Sequence, residues 1–560
     1  MADKRFSLGL DFGTESARAV IVDVRNGDEV ATAVHEYRHG VIDEKLPGTG
    51  QALEPDWAIQ HAGDYLEALA DVVPKALKQA GITGEHIVGI GVDFTSCTMM
   101  PIDAQDDPLC LDPKWASNPH AYVKLWKHHA AQPEADRINQ LARERKEPFL
   151  ARYGGIISSE WFFPKVLQIL NEAPEVYDAT DRFIEGADWA VLRLTGEERR
   201  SACTAGYKAM WDKEEGFPSP DYFAALHPKM RNVVDDKMKR DIHPMASRAG
   251  VLTEAVAAKT GLVPGIPVAV GIIDAHSAVP AATIADEGQM LMIMGTSTCH
   301  MVLTREKHLV EGISGVVADG ILPGFYGYEA GQVAVGDIFA WFVNNSVPAE
   351  YAQEAAAKGK SLHEILADKA RGQRPGEHGL LALDWWNGNR TPLVDADLSG
   401  LLLGCTLQTR PEDIYRALIE ATAFGTRLII ETYRKFGVPV NELYACGGLV
   451  QNELLMQIYA DVTNLPMRVA RSTQASAAGA AIFGSVAAGK EHGGYDSMTE
   501  AIARMGGVRE RAFLPNAEAA KVYDGIYQDY LRLLDYFGRG ENPVMKSLKR
   551  LRMPKDRGLV

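Results

Sequence analysis

The chain carries one short pattern twice: an apolar strand, a Gly-Thr turn and a second β-branched strand. The first copy turns at Gly13-Thr14 and the second at Gly295-Thr296, about 280 residues further along. Apolar, β-branched segments on both sides of a turn glycine favour a β-hairpin. Because one supersecondary unit recurs, the sequence predicts two similar α/β domains.

The two turns have the chemistry of a phosphate clamp. A glycine lets backbone N–H groups approach a phosphate closely, and Thr14 adds a hydroxyl donor. Asp11 precedes the first turn and can hold a hydrated Mg²⁺, whereas the second copy has Ile293 at the matching position. A turn glycine and a strand-end aspartate also occur in hairpins that bind no nucleotide. With two copies, we expect both turns to grip the phosphates of one nucleotide.

Composition limits the class of protein. The 560 residues are 46% hydrophobic and 24% charged, as in globular proteins, and the formal charge of −16 argues against nucleic acid as a general partner. The six cysteines are scattered without a CxxC pair, which favours free thiols. The N-terminus has no signal segment, and no apolar run approaches the ~20 residues that span a bilayer. These features predict a cytoplasmic enzyme with no membrane contact.

Acidic residues end two further apolar strands. One strand, at 87–93, ends on Asp93 and leads into a hydroxyl-rich loop that contains Ser96. Another, at 267–273, ends on Asp274, which could simply cap the helix that follows. The two interpretations are compatible, because a cap position orients the carboxylate and the helix end helps to keep it ionised. Asp274 is therefore a candidate proton acceptor.

The remaining segments suggest an insertion and a helical end. Regularity weakens between about 112 and 260, which we interpret as an insertion that could wall a substrate pocket. Lys208 lies there among small and aromatic residues, although a solvated surface lysine explains it equally well. Further on, the pattern predicts a strand into a glycine turn at 443–448, a tightly packed helix at 475–488 and a helix at 517–537.

Five segments in order resemble the FGGY carbohydrate kinases of the actin-like ATPase superfamily, and the resemblance covers nearly the whole chain. They are 11–14, 271–274, 295–297, 445–448 and 474–479. Within that family, further stretches are most similar to the members that phosphorylate L-ribulose: 154–161, 205–208, 295–299, 329–332 and 384–392. Xylulokinases and glycerol kinases are usually shorter, and their sugar loop differs from 94–98 here.

The resemblance implies an α/β fold in which two actin-like (ribonuclease H-like) ATPase domains flank a nucleotide and sugar cleft. We expect a sugar-binding N-terminal domain at 1–284, with the helical insertion at about 112–260. A nucleotide-binding C-terminal domain would follow at 285–515, and a helical tail at 516–560.

The activity that the resemblance implies is ATP-dependent phosphorylation of the C5 hydroxyl of L-ribulose, in L-arabinose catabolism. ATP and Mg²⁺ would be the cofactors and a ketopentose the partner, with a homo-oligomer possible. Another ketopentose or polyol kinase, such as a xylulokinase or a ribitol or ribulose kinase, is the alternative. An actin-like chaperone ATPase is more remote, because it needs a C-terminal peptide-binding β domain where this chain predicts helices.

The resemblance also assigns roles by position. Asp274 would accept the hydroxyl proton, and Asp11 would be the Mg²⁺ partner. The phosphates would lie at Gly13, Thr14, Gly295 and Thr296, and the nucleoside near Gly336, Gly447, Gly448 and Asn452. The sugar would contact Ser96, Lys208, Asp274 and Glu329, although a small apolar residue would serve as well as Ser96.

Overall fold

The computed structural model describes residues 5–239 and 241–552. Residues 553–560 of the predicted tail at 516–560 therefore lie outside the described residues. Among the described residues, no helix combines the length and the apolar character needed to cross a membrane. All six cysteines are free thiols, as their scattered positions in the sequence predict.

The strands of the first part of the chain are short and mostly buried. They are β1 (Phe6–Phe12), β2 (Ser16–Asp23), β3 (Glu29–Glu36), β4 (Ile59–Gln60), β5 (Ile87–Phe94), β6 (Met99–Ile102), β7 (Val123–Lys124), β8 (Arg182–Glu185), β9 (Arg200–Ser201), β10 (Ile242–His243), β11 (Arg248–Val251), β12 (Pro267–Ala269) and β13 (Ile272–Ile273). The helices are α1 (Ala62–Ala80), α2 (Gln132–Arg145), α3 (Phe162–Glu172), α4 (Pro174–Ala179), α5 (Gly186–Thr195), α6 (Ala202–Lys208), α7 (Pro220–Leu226), α8 (Val233–Lys237), α9 (Glu254–Thr260) and α10 (Asp274–Ala281).

The second part repeats the mixture of strands and helices. Its strands are β14 (Gly288–Met294), β15 (Thr298–Thr304), β16 (Gly315–Ala318), β17 (Tyr326–Gln332), β18 (Leu381–Leu383), β19 (Leu401–Leu403), β20 (Val440–Cys446) and β21 (Met467–Val469). Its helices are α11 (Gly336–Ser346), α12 (Ala349–Lys358), α13 (Leu362–Arg371), α14 (Pro411–Lys435), α15 (Glu453–Thr463), α16 (Ala475–Ala488), α17 (Met498–Met505), α18 (Ala517–Gly538) and α19 (Val544–Arg552).

Two large sheets share one design. The first has the order β11-β12-β5-β1-β2-β3, with β13 also beside β5, and the second has the order β16-β17-β15-β14-β20-β21. In each, an antiparallel hairpin lies next to a strand parallel to its first member: β1 and β2 beside β5, and β14 and β15 beside β20. The repeated hairpins and the predicted two-domain α/β fold are confirmed.

The register aligns the acidic strand ends of the first sheet. Asp11 of β1 is opposite Asp93 of β5, and Asp93 is opposite Ile272 of β13. The carboxyl ends of parallel strands meet at one edge of a sheet, and Asp274 follows β13 at that edge. In the second sheet the corresponding pair is Ile293 of β14 and Cys446 of β20.

The predicted insertion has a core of its own. A small sheet, in the order β4-β7-β6-β8, adjoins it. The core of the insertion contains the buried aromatic residues Trp161, Phe162 and Phe163, which pack with side chains from α2, α7 and α8. This core includes residues next to two predicted sugar contacts: Cys97, which follows Ser96, and Ala209, which follows Lys208.

Helix α16 covers the first sheet although it follows β21 of the second sheet in the chain. A Cβ on Gly9 would lie 1.8 Å from the Ala477 carbonyl oxygen, and one on Gly91 would lie 1.8 Å from that of Ala480. The helix therefore approaches β1 and β5 backbone to backbone, which only glycine permits at those positions. Buried residues within 475–505 thus belong to the core of the first sheet, although they lie inside the range 285–515 predicted for the C-terminal domain. The predicted domain bounds stay a prediction.

Predicted helices agree closely with those observed. Helix α16 occupies the predicted residues 475–488, and α18 ends one residue beyond the predicted 517–537. The interpretation of Asp274 as a helix cap is wrong by one residue: Ile273 is the N-cap of α10 and Asp274 is its first residue. The physical benefit of the helix N-terminus remains, since Asp274 lies in the first turn.

Candidate active site

Three carboxylates gather at the carboxyl ends of β1, β5 and β13: Asp11, Asp93 and Asp274. The first two are buried, and the charges of Asp11 and Asp274 both act on Asp93. Asp93 was not among the predicted site residues. Its position at a strand end was visible in the sequence, but its pairing with Asp11 depends on the register of two strands 80 residues apart, which local patterns do not give.

Asp11 is partly neutralised by its hairpin partner. Arg18, opposite it on β2, donates from Nη1 to Asp11 Oδ2 at 3.0 Å. Burial nevertheless raises the pKa of Asp11, and Arg18 only opposes that shift. A Cβ on Gly13 would lie 3.9 Å from Asp11 Oδ1, so the second oxygen is directed towards the turn.

Asp93 is the least compensated of the three. Its side chain is fully buried, and its oxygens accept from no N–H or hydroxyl group of the described residues, so its hydrogen-bond partner is the Asp11 carboxyl. Burial, and then repulsion from Asp11 and Asp274, raise the pKa of Asp93 well above its usual range. Buried carboxylate oxygens that lack donors are what a hard cation such as Mg²⁺ binds, so the residues present fit that ion.

Asp274 has the properties of a proton acceptor. The backbone N–H of Ala275 donates to its Oδ1 at 2.7 Å, which fixes the carboxylate. Burial, and next the charge of Asp11, raise the pKa of Asp274 to about 7, although the Ala275 N–H opposes the shift. A base with a pKa near the working pH can both accept and release a proton efficiently.

Lys208 and Glu329, both predicted to contact the sugar, are bound to each other. Lys208 Nζ donates to both oxygens of Glu329, at 3.0 and 2.8 Å, and the two residues are only 3% and 4% exposed. Arg390, which was not predicted, adds a bond from Nη2 to Glu329 Oε1 at 3.0 Å. Burial alone would raise the pKa of Glu329, but Lys208 and then Arg390 outweigh it and lower the pKa to about 2.

This ion pair joins the two parts of the chain. Lys208 ends α6, whereas Glu329 lies on β17 of the second sheet. Both residues are close enough to Asp274 for their charges to shift its pKa, Glu329 upward and Lys208 downward. The structure therefore brings Lys208, Glu329 and Asp274 together. Arg390 lies in segment 384–392, one of the stretches that resemble the family, but no sequence pattern indicated its contact with Glu329.

Ser96 occupies a tight loop between β5 and β6. It is half-buried, and its neighbours Thr95 and Thr98 share a hydroxyl hydrogen bond of 2.7 Å. The buried ammonium of Lys165 donates to the carbonyl oxygens of Cys97 at 2.7 Å and Leu125 at 2.8 Å. Lys165 thus holds the Ser96 loop beside the segment that leads to Trp126.

The first turn is braced by side chains from outside the hairpin. The Gly13 N–H closes the turn on the Ser16 carbonyl at 2.9 Å, so a phosphate would have to bind the groups that follow it. Gln60 Nε2 donates to the Thr14 carbonyl at 2.6 Å, and Trp126 Nε1 donates to the Thr14 hydroxyl at 3.0 Å. Trp126 is exposed there and was not predicted.

The second turn is packed against two of the predicted nucleoside residues. Gly336 donates its N–H to the Gly295 carbonyl at 3.0 Å, and Val335 donates to that of Thr296 at 2.8 Å. Gly447 has a φ of 95°, and a Cβ on it would lie 2.4 Å from the Met294 oxygen. A Cβ on Gly336 would likewise lie 2.6 Å from the Gly295 oxygen, so the turn needs glycine at both positions.

The other two predicted nucleoside residues lie further along the same loop. A Cβ on Gly448 would meet nothing within 4 Å, so its surface is open. Asn452 caps α15 by accepting the Leu455 N–H at 3.2 Å. That the two Gly-Thr turns face each other across one nucleotide stays a prediction.

Comparison with known proteins places this site in context. Residues 6–280 match the N-terminal domain, and residues 290–488 the C-terminal domain, of the FGGY family of carbohydrate kinases. The chain is 57% identical to the ribulokinase of Shouchella clausii over 558 residues, which covers 100% of both chains. It is also 57% identical to the ribulokinase of Geobacillus thermodenitrificans, covering 98% of this chain and 97% of that one.

Solved structures agree on the fold. The crystal structure of xylulose kinase from Rhodospirillum rubrum has a TM-score of 0.78 to this chain, with 24% identity over 95% of this chain and 98% of that one. At that identity the likeness concerns the fold alone.

Proposed function

The chain belongs to the FGGY family of carbohydrate kinases, and we propose that it transfers a phosphoryl group from ATP to the C5 hydroxyl of L-ribulose. The products would be L-ribulose 5-phosphate and ADP, as in L-arabinose catabolism. Identity of 57% to two ribulokinases over essentially the whole chain supports this substrate. The observation that carries the chemistry is Asp274, a fixed carboxylate whose pKa of about 7 suits proton acceptance.

Asp274 would act as the general base. The Ala275 N–H holds Oδ1, so Oδ2 is the oxygen we assign to the substrate hydroxyl. As the hydroxyl oxygen attacks phosphorus, its proton passes to Asp274. Phosphoryl transfer needs positioning and charge neutralisation more than covalent help, so one carboxylate base is sufficient on this side.

Lys208, Glu329 and the Ser96 loop would bind the sugar. A polyol is recognised by donors and acceptors that converge in a pocket, and the Lys208 ammonium with the Glu329 carboxylate offers both. Because Lys208 and Arg390 already hold Glu329 ionised, the pocket is preorganised before sugar enters. Trp161, whose ring centroid lies 5.6 Å from Lys208 Nζ, would supply an apolar wall.

The two Gly-Thr turns would hold the phosphates, and Gly336, Gly447, Gly448 and Asn452 the nucleoside. Asp11 would hold Mg²⁺, which when bound neutralises charge on the phosphates. Closure of the two domains around the substrates would exclude water and limit hydrolysis of ATP. A cytoplasmic location and a homo-oligomer stay predictions.

The test is an assay of ADP release against L-ribulose, D-ribulose, both xyluloses, ribitol and glycerol. We expect the highest kcat/KM with L-ribulose and little ADP without sugar. A preference for a xylulose would assign the chain to another ketopentose kinase. ADP release that no sugar changes would contradict a sugar kinase altogether and favour a chaperone-type ATPase.

A further inference from the structure

Asp93 is a buried carboxyl group whose neighbour is a second acid. The side chain is 0% exposed, and its oxygens accept from no N–H or hydroxyl group of the described residues. Its contact with the Asp11 carboxyl is a hydrogen bond only while one of the two acids keeps its proton. Two buried acids side by side must share a proton or bind a cation, because burying both charges without a partner is strongly unfavourable. The first question is which groups face it.

The neighbours of Asp93 come from three elements. Asp11 is its register partner on β1, and strands in a sheet lie roughly 4.8 Å apart. Arg18 on β2 donates to Asp11 Oδ2, which leaves Asp11 Oδ1 on the side of the Gly13 turn. Asp274, at the start of α10, acts on Asp93 from the other side of β5. Asp11 and Asp93 thus share one guanidinium, whereas Asp274 is also close to the Lys208 ammonium.

The second sheet indicates that the backbone does not require these acids. At the same register position it has Ile293 opposite Cys446, on strands with the same parallel pairing. Apolar residues therefore satisfy this arrangement of strands elsewhere in the same molecule. The acidic pair in the first sheet requires a reason other than folding.

We propose that Asp93 and Asp11 together form a binding site for a divalent cation, and that this site exists before the nucleotide binds. Asp93 is thus a second protein ligand beside Asp11, and Asp274 remains available for the substrate hydroxyl. The inference rests on the proposed function only in its assumption that the cation serves phosphoryl transfer. Oxygen donors from two carboxylates suit Mg²⁺ or Mn²⁺, which proteins commonly bind through one or two carboxylates.

The experiment is a titration of the chelator-treated full chain with Mn²⁺, without nucleotide or sugar, in which the EPR signal of free Mn²⁺ reports binding. The variants are Asp93→Asn and Asp11→Asn. The control is Asp461→Asn, a mostly buried carboxylate that accepts from the Asn516 N–H and from Gln457. Melting temperatures measured with and without Mn²⁺ verify that each variant folds and give a second readout.

We expect the wild type and Asp461→Asn to bind Mn²⁺ alike, and both test variants to bind at least about tenfold more weakly. Mn²⁺ should raise the melting temperature of the wild type but not of Asp93→Asn. Equal binding by Asp93→Asn and the wild type would overturn the inference, as would no binding by the wild type or an equal loss in Asp461→Asn. If Asp93→Asn does not fold, Asp93→Ser takes its place under the same criteria.

Failure of the proposed function would look different. In that case the wild type would not phosphorylate L-ribulose, whatever its affinity for Mn²⁺. A wild type that phosphorylates L-ribulose while Asp93→Asn keeps its Mn²⁺ affinity would overturn the role of Asp93 alone.

Discussion

The two Gly-Thr hairpins have the same topology and different residues behind the turn. In the first, Asp11 and Asp93 are register partners on parallel strands, and in the second Ile293 and Cys446 occupy those places. Each turn is closed by the N–H of its glycine, on Ser16 in one and Ser297 in the other. The repeat has thus kept the backbone shape and changed the side chains.

The difference indicates a division of roles. A turn that binds phosphate through its backbone can be repeated without change, because every residue type has an N–H group. Metal binding and proton acceptance depend on carboxylates, and these are concentrated at the edge of the first sheet. Four predictions test this division, from the largest expected effect to the smallest.

Asp274→Asn should lower kcat for L-ribulose by about a thousandfold, because the amide cannot accept the hydroxyl proton. The nucleotide contacts proposed for both turns do not involve this side chain, so affinity for ATP should stay within a few-fold of the wild type. Stopped assays of ADP release and a nucleotide titration measure the two quantities. Near-normal turnover would show that Asp274 is not the base, and it would contradict the assignment of catalysis to the first sheet.

The rate should also depend on pH through the ionisation of Asp274. Since burial and Asp11 raise the pKa of Asp274 to about 7, the base is mostly protonated below that pH and ionised above it. We therefore expect kcat/KM for the sugar to fall about tenfold for each pH unit below 7 and to level off above it. A profile from pH 5 to 9 measures this, with Asp274→Asn as the control that should lose the slope. A flat wild-type profile would contradict the role of Asp274 as base.

Lys208→Met should raise KM for L-ribulose by roughly tenfold, because the pocket loses a donor and Glu329 keeps only Arg390 as a strong partner. The change tests whether the sugar is held where the two halves meet. The matched control is Lys213→Met, whose ammonium pairs with Asp319 at 2.5 Å but is mostly exposed. An unchanged KM in Lys208→Met, or an equal rise in the control, would leave Lys208 as a structural residue.

Thr14→Val and Thr296→Val compare the two turns directly. Each removes one hydroxyl worth about 1 kcal/mol, so KM for ATP should rise about fivefold while KM for the sugar changes little. Thr14→Val should have the larger effect, because it also removes the bond from Trp126. Thr14→Ser, which keeps the hydroxyl, is the control. If only one of the two valine substitutions changes KM for ATP, the two turns do not both bind the same nucleotide.

Sequence patterns predicted the local elements and the residues that act through type and position. The helix at 475–488 and both glycine turns follow from periodicity and turn chemistry. The strand predicted at 267–273 is present as two short strands, β12 and β13, interrupted at 270–271. The pairing of Asp11 with Asp93, the bond from Arg390 to Glu329 and the bond from Trp126 to Thr14 were not predictable. Each joins residues at least 60 apart, and such contacts depend on register and loop paths that no local pattern encodes.

Helix α16 has a consequence for the order in which the molecule can be made. The Ser7 hydroxyl donates to the Ala481 carbonyl at 2.6 Å, so the first strand of the chain contacts one of its last helices. A ribosome releases the strands of the first sheet long before residues 475–488 exist, and their glycine-lined face stays uncovered in the meantime. We expect a fragment that ends at residue 474 to be cut by protease far faster than the full chain. The sheet that carries the carboxylates is synthesised first, yet it is covered only after the last strand of the second sheet has been made.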